Sequence, residues 1–491
     1  MEIDNYVKNK IIKLKGIIDI SLRLKMYECS IESIASASRI LYEYNQYYTD
    51  LDLENYTRII ADQMKPIVVN NPDDNVVLFV DGFGHDTRGL GLIYLISLLR
   101  IGKTVVYITQ EKARNNQPQM DKEVKDYPFI RYYIPNGIKT VDKIKFIEKI
   151  YTKHQPSFAF MQILPFDVET VIVFERMINV KRYQINLTDH AFWLGVNAFD
   201  YCINFRDYGY IISRDFRHID ESKLIILPYY PYYNKDTKFE GLDFIHEEYR
   251  GYKIVFSGGD IYKTISKDMT YYEIVRKILE QYANIVFVYA GRNTSKYLND
   301  LINEYPNRVY YIKERNDLYQ LMQHIDIYLN TYPLLGGLMT QYAAIAGKIP
   351  LTLKHDQDGD DILLNQEKLG VFFDSKEELL DEMQLLMSDQ EYLKMKEQLL
   401  HDSVITPENF QIELSRLMKE KKTTFIVKEK NVDVRRIRDD YKHRLTLKKV
   451  RECIIRKENK NIILLFPLLL IRSIMHKLSD KTYKVNRGRI S

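Results

Sequence analysis

The chain has 491 residues, 45% of them hydrophobic and 28% charged, with a net charge of +4 and three cysteines. That length suits about two to four domains of ordinary globular composition. Cys29, Cys202 and Cys453 lack metal-ligand spacing and are too few for a disulfide framework, which argues against a zinc module and for a reducing compartment.

Residues 1–72 read as helices, because Ile11, Ile12, Leu14, Ile17 and Ile18 recur at helical spacing, as do Ile31, Ile34, Ile40 and Leu41. They carry no visible chemistry and predict a packing or oligomerisation element. The N-terminal MEIDNYVKNK has no apolar signal core. Residues 73–230 alternate short apolar runs with amphipathic stretches. Strands are predicted at 75–80, 104–108, 157–163, 182–186 and 201–205, with a helix at 90–100. This alternation predicts a parallel, helix-covered sheet. Leu227-Pro228-Tyr229-Tyr230-Pro231-Tyr232-Tyr233 cannot continue a helix and opens an interdomain connection, with a hinge over 231–250.

Residues 251–420 repeat the pattern. Strands are predicted at 252–257, 285–289 and 309–312, and helices at 270–282 and 318–324. Next, Asp326 to Leu353 reads strand, Gly-Gly turn, helix, Gly347 stop and strand again. Surface helices are predicted at 377–387 and 391–400. The fold class is therefore α/β, with two doubly wound domains facing a cleft and extensions at both ends.

The tail, 421–491, differs in kind. It holds 21 Lys and Arg against 7 Asp and Glu, so the rest of the chain is net acidic. Its apolar run Ile462–Ile471 is ten residues long and contains Pro467, whereas a spanning helix needs about 20 apolar residues. Basic residues beside a short apolar stretch predict attachment of 435–475 to an anionic membrane surface, with a helix docked on the body as the alternative. No nucleic-acid-binding module accompanies the charge.

Chemistry concentrates after the predicted strands. In the second domain, Ser257-Gly258-Gly259-Asp260-Ile261-Tyr262-Lys263 allows close backbone approach and adds one cation. Gly336-Gly337, followed by Leu338, Met339, Thr340 and Gln341, offers a helix N-terminus. Both loops open at one sheet edge and suit the charge of a nucleoside-diphosphate leaving group. In the first domain, Gly82-Phe83-Gly84-His85-Asp86 follows the first strand, and Thr188-Asp189-His190 with Trp193 follows a later one. His85, Asp86, Asp189 and His190 are the candidates to deprotonate an acceptor hydroxyl. Asp86 has a turn or helix cap as its alternative. Trp193 is either a sugar platform or a buried structural residue. Arg206, Asp207 and Tyr208 follow at the next strand end.

These segments resemble the nucleotide-sugar-binding half of GT-B glycosyltransferases, the fold of two Rossmann-like domains facing a cleft, and in particular the O-GlcNAc transferase and bacterial adhesin-glucosyltransferase group. Tyr262-Lys263 matches an aromatic-Lys pair whose Lys contacts the nucleotide phosphates. Pro333, Gly337, Thr340, Gly347 and Pro350 match the Gly turn and the helix after it. The loop from Lys313 through Glu314 and Arg315 to Leu318 resembles the one that brackets the base, His85 a loop histidine, and Asp200-Tyr201 an Asp-Tyr strand. The resemblance implies transfer of a sugar from a nucleotide donor such as a UDP-sugar to a hydroxyl on a glycan, lipid-linked or protein acceptor, in bacterial surface polysaccharide or glycoconjugate synthesis. It implies a cytoplasmic protein at the inner membrane face, without a cofactor. Metal-independent transfer is expected, since Asp358-Gly359-Asp360 does not sit at a strand end. One departure stands out. The position where relatives place a ribose-gripping carboxylate is Ala343, and none of Gln341, Tyr342, Ala343 or Ala344 is acidic. A non-catalytic subunit that stabilises a partner enzyme is therefore an alternative. A nucleotide-sugar epimerase of the same build is another.

Overall fold

A computed structural model describes residues 2–435, 438 and 439, apart from 88, 139 and 356–360. Residues 435–475, expected at a membrane surface, thus lie almost wholly outside the described residues, as do 358–360. Among the described residues, no helix is long and apolar enough to cross a membrane.

Three helices lead the chain: α1 (Glu2–Arg23), α2 (Tyr27–Tyr44) and α3 (Leu51–Gln63), the last capped by Asp50, which accepts from the Asp52 and Leu53 N–H groups. The first sheet follows: β1 (Asp73–Asp81), β2 (Thr104–Thr109), β3 (Ile130–Tyr133), β4 (Pro156–Gln162), β5 (Lys181–Ile185), β6 (Tyr201–Asn204) and β7 (Leu224–Ile226). These seven strands are parallel and lie in the order β3-β2-β1-β4-β5-β6-β7. Strand order reverses between β1 and β4, and ligands of doubly wound sheets bind at the carboxyl end of that point.

Both faces of this sheet are buried. Val77 and Phe79 of β1 face one layer, which includes α4 (Gly91–Arg100), while Leu78 and Val80 face the other. The second layer contains Ile18, Ile34 and Ile60 of the leading helices, together with Phe174 and Trp193. Most of the apolar positions of 1–72 are thus used inside the first domain, whereas Ile12, 56% exposed, stays outside this core.

The second sheet has β8 (Lys253–Gly258), β9 (Ile285–Gly291), β10 (Val309–Lys313), β11 (Ile327–Leu329), β12 (Ile349–Leu353) and β13 (Phe372–Phe373). Its order is β10-β9-β8-β11-β12-β13, again all parallel, with the reversal between β8 and β11. On one face Val255 and Phe287 pack with Ile274, Val275 and Ile278 of α5 (Thr270–Gln281). On the other, Phe256, Val288 and Tyr328 pack with Tyr342 and Ala343 of α6 (Gly337–Ile345).

Residues 227–252 connect the two halves with no sheet strand. The last long helix, α7 (Pro407–Glu420), was counted with the second domain from sequence order, yet it packs on α4 of the first. Phe410 meets Tyr94 edge-on at 5.1 Å and Tyr230 at 5.6 Å. Beyond it the chain runs along the first sheet, where the Thr423 hydroxyl donates to the Ile226 carbonyl at 2.6 Å.

Candidate functional site

The carboxyl ends of β8 and β11 build one cavity of about 180 Å³, lined by Gly258, Gly259, Lys263, Glu314, Gly336, Gly337 and Met339 among others. Small residues are required where its loops approach each other. A Cβ on Gly291 would stand 2.6 Å from the Gly259 carbonyl oxygen, and one on Gly258 would lie 3.1 Å from that of Ala290. The Lys263 Nζ lies 3.4 Å from the Leu335 carbonyl, and the Leu334 N–H donates to the Lys263 carbonyl at 3.3 Å. Two loops separated by some 70 residues are thereby joined beside the cavity.

Asn330, which sequence reasoning missed, fixes the second loop. Its Oδ1 accepts from the Thr331 and Gly336 N–H groups, both at 2.9 Å. Its Nδ2 donates to the Thr340 hydroxyl at 2.9 Å and to Thr352 at 3.2 Å. The only sequence signal was an Asn placed directly after an apolar strand. Helix α6 begins at Gly337 with Gly336 as N-cap and no capping side chain. Its first N–H groups and dipole therefore face the cavity, an arrangement that attracts an anion.

Other predicted donor residues take different places. Thr340 is fully buried, and its hydroxyl donates to the Gly336 carbonyl, so it supports the turn from behind. Gln341 is 2% exposed, and its Nε2 donates to the Tyr229 carbonyl at 2.9 Å, which ties α6 to the interdomain connection and away from a ribose. Arg315 is also corrected. Its Nε donates to Asp317 Oδ1 at 2.7 Å and its Nη1 to the Gly241 carbonyl at 2.8 Å, which fastens the connection. Glu314 remains at the rim, 3.1 Å from Arg292 Nε.

Across the cleft, the loop after β1 is organised by Asp81. This fully buried carboxylate accepts from the Tyr107 hydroxyl at 2.6 Å and from the Phe83 and Gly84 N–H groups at 3.1 and 2.9 Å. Burial pushes its pKa up, against those three donors. Gly84 adopts φ +57°, and a Cβ there would stand 2.2 Å from that of Ala113. The loop leaves His85 exposed, its ring 5.9 Å from that of Phe83. Asp86 instead accepts from the Gln119 and Met120 N–H groups at 3.1 and 2.8 Å, the cap alternative, and so is not poised as a base.

Asp189 is likewise occupied. It is 1% exposed and accepts from Arg206 Nε at 2.6 Å and Nη2 at 3.0 Å. Burial alone would raise its pKa, but the Arg206 guanidinium, helped by His190, holds it well below the usual carboxylate range. Such a carboxylate is too weak a base to take a hydroxyl proton. His190 is partly exposed, its Nδ1 3.3 Å from Asp189 Oδ1. Arg217 Nη2 donates to the carbonyls of Asp189 and Ala191 at 2.9 and 2.6 Å, and its guanidinium lies 4.9 Å over the Trp193 ring. Trp193 is 3% exposed and is the buried structural residue of the two alternatives, not a sugar platform.

Arg206 also reaches the second domain, with Nη1 3.7 Å from Asp361 Oδ1. Asp361 accepts from the Tyr208 N–H and pairs with Lys430 Nζ at 3.1 Å. Arg206 and Asp207 line an interdomain cavity of about 420 Å³ with Asp361 and Lys428.

No protein-family model and no curated protein matches the chain. Solved structures match its fold. A glycosyltransferase from Rickettsia africae ESF-5 aligns at 12% identity and a TM-score of 0.53, covering 71% of this chain and 98% of that one. An O-GlcNAc transferase from Thermobaculum terrenum aligns at 13% identity and a TM-score of 0.51, covering 83% and 81%. The two sheets, their facing switch points and the returning helix α7 thus form a GT-B, glycosyltransferase-like fold.

Proposed function

We propose that the chain transfers a sugar from a nucleoside-diphosphate donor, a UDP-sugar foremost, to a hydroxyl acceptor. One observation carries this reading: the β8 and β11 loops join through Lys263 at the uncapped N-terminus of α6, around one cavity. The α6 N–H groups and the Lys263 ammonium would neutralise the charge that grows on the diphosphate as the glycosidic bond breaks. His85 is the favoured acceptor-side base, because Asp86 and Asp189 are engaged elsewhere and His85 is exposed in the loop at the switch point. His190 is the reserve candidate.

A second reading, a donor-binding subunit without turnover, is favoured by α6 itself. Ala343 is fully buried, and Gln341 holds the connection, so the helix offers no carboxylate to a ribose. Bacterial surface-glycan synthesis at the inner membrane face is the setting we favour, on the strength of the basic tail. Lys263→Ala tests the site. UDP affinity, read by isothermal titration, is expected to fall about tenfold, the worth of one charge-assisted contact. Unchanged affinity would remove Lys263 from the site. Sugar transfer or donor hydrolysis by the intact chain marks the enzyme, and the absence of both marks the subunit.

A further inference from the structure

The leading helices reach the loop after β4. Arg39 and Tyr42 stand three residues apart and so share a face of α2, whose core side is carried by Ile31, Ile34, Ala37 and Leu41. That shared face meets the loop after β4. The Tyr42 and Phe166 rings lie 6.2 Å apart, and the Arg39 guanidinium lies 4.9 Å from the Phe166 ring centre. Burial raises the pKa of the Tyr42 hydroxyl, and Glu43 and Tyr262 add to the rise.

Several arginines of the first domain are ion-paired. Arg114 pairs with Asp121, Arg176 with Glu148 and Arg182 with Asp200, at 2.5, 3.0 and 2.6 Å. Arg39 has no ion pair among the described residues, and its Nε is shielded from solvent without a hydrogen-bond partner. A partly desolvated guanidinium of this kind gains most from a planar or tetrahedral oxyanion.

A second observation lies at the end of β4. Gln162 is 1% exposed, and both its Oε1 and Nε2 lack partners. Its Nε2 lies 3.8 Å from where a Cβ on Gly89 would stand, and His85 Cδ2 lies 3.5 Å from the same point. An amide with both ends open beneath the His85 loop matches a sugar hydroxyl, which donates and accepts at once.

We infer that α2, Phe166 and Gln162 form the acceptor subsite, and that the acceptor is an anionic sugar whose phosphate or carboxylate is held by Arg39. Its ring lies against Tyr42 and Phe166, and a hydroxyl points toward Gln162 and His85. This inference rests on the transfer reading for its purpose, but its binding test does not. The full chain is titrated at fixed ionic strength with N-acetylglucosamine 1-phosphate, glucuronic acid and neutral N-acetylglucosamine, and separately with UDP. One anionic probe is expected to bind about tenfold more tightly than the neutral sugar. Preference for the first marks a phosphosugar, and preference for the second a uronic acid. Arg39→Gln brings that probe to within about twofold of the neutral sugar and leaves UDP affinity unchanged, while Arg39→Lys falls between. Equal or absent binding of the three probes, or a preference that survives in Arg39→Gln, overturns the inference. Should Arg39→Gln not fold, the intact chain decides. The preference must shrink as salt rises, and a salt-independent preference also overturns it. Failure of UDP to bind would strike the transfer reading alone.

Discussion

The two halves repeat one sheet topology and treat their polar groups in opposite ways. In the second domain, Asn330 satisfies the loop from within and leaves backbone N–H groups and Lys263 to face the cavity. In the first, carboxylates do the organising. Asp81 holds the Gly82–Gly84 turn, Asp86 caps 118–124, and Asp189 sits under Arg206. On the proposed reading, a donor site built on backbone would bind any diphosphate placed there. On the same reading, an acceptor site whose acids are consumed by structure would leave its chemistry to a histidine and to side chains of the leading helices.

That contrast can be broken at three points, beyond the tests already given. His85→Gln is expected to have the largest effect. It should slow transfer by about 10²–10⁴-fold with UDP affinity unchanged, read as turnover against titration. A variant that turns over normally would return the base to His190. Next, Asp189→Ala strips a buried partner from Arg206, and denaturant unfolding should register a loss of about 3–5 kcal/mol. A variant that keeps its stability but loses turnover would make Asp189 a base after all. The smallest effect concerns Glu54, buried in α3, which accepts from Gly195 N–H at 2.9 Å and Val196 N–H at 3.1 Å. Burial raises its pKa from 4.5 to about 8 against those two donors. The protonated form is therefore the one folding favours. Its contribution is complete below about pH 4.5 and is lost as pH rises through about 8. Glu54→Gln should flatten the unfolding midpoint over that window, and an unaltered pH profile would count against it.

Much of the second domain's candidate site was legible because its signals are backbone signals. Gly258, Gly259, Gly336 and Gly337 can be read without knowing what surrounds them, and each lines the cavity. Asn330 was not legible, since its five contacts join residues up to 22 positions away. Arg315 and Gln341 were misplaced for a related reason. Their partners, Gly241 and Tyr229, lie in a connection whose path no local pattern specifies. On the acceptor side, an acidic residue beside a strand end looks the same whether it caps, pairs or catalyses. Asp86 and Asp189 became distinguishable only once Met120 and Arg206 were placed around them. The helical character of 1–72 was plain, but its meeting with Phe166 joins segments more than 120 residues apart.

The return of α7 to the first domain has a consequence for anyone who would take the molecule apart. Phe410, Leu414 and Leu417 belong to the same buried cluster as Leu95 and Tyr94. A gene cut in the connection would yield a second half carrying a greasy, homeless helix and a first half with an uncovered groove. Such fragments should be insoluble when made alone and recover when produced together, so the natural boundary between the lobes is no place to divide the polypeptide.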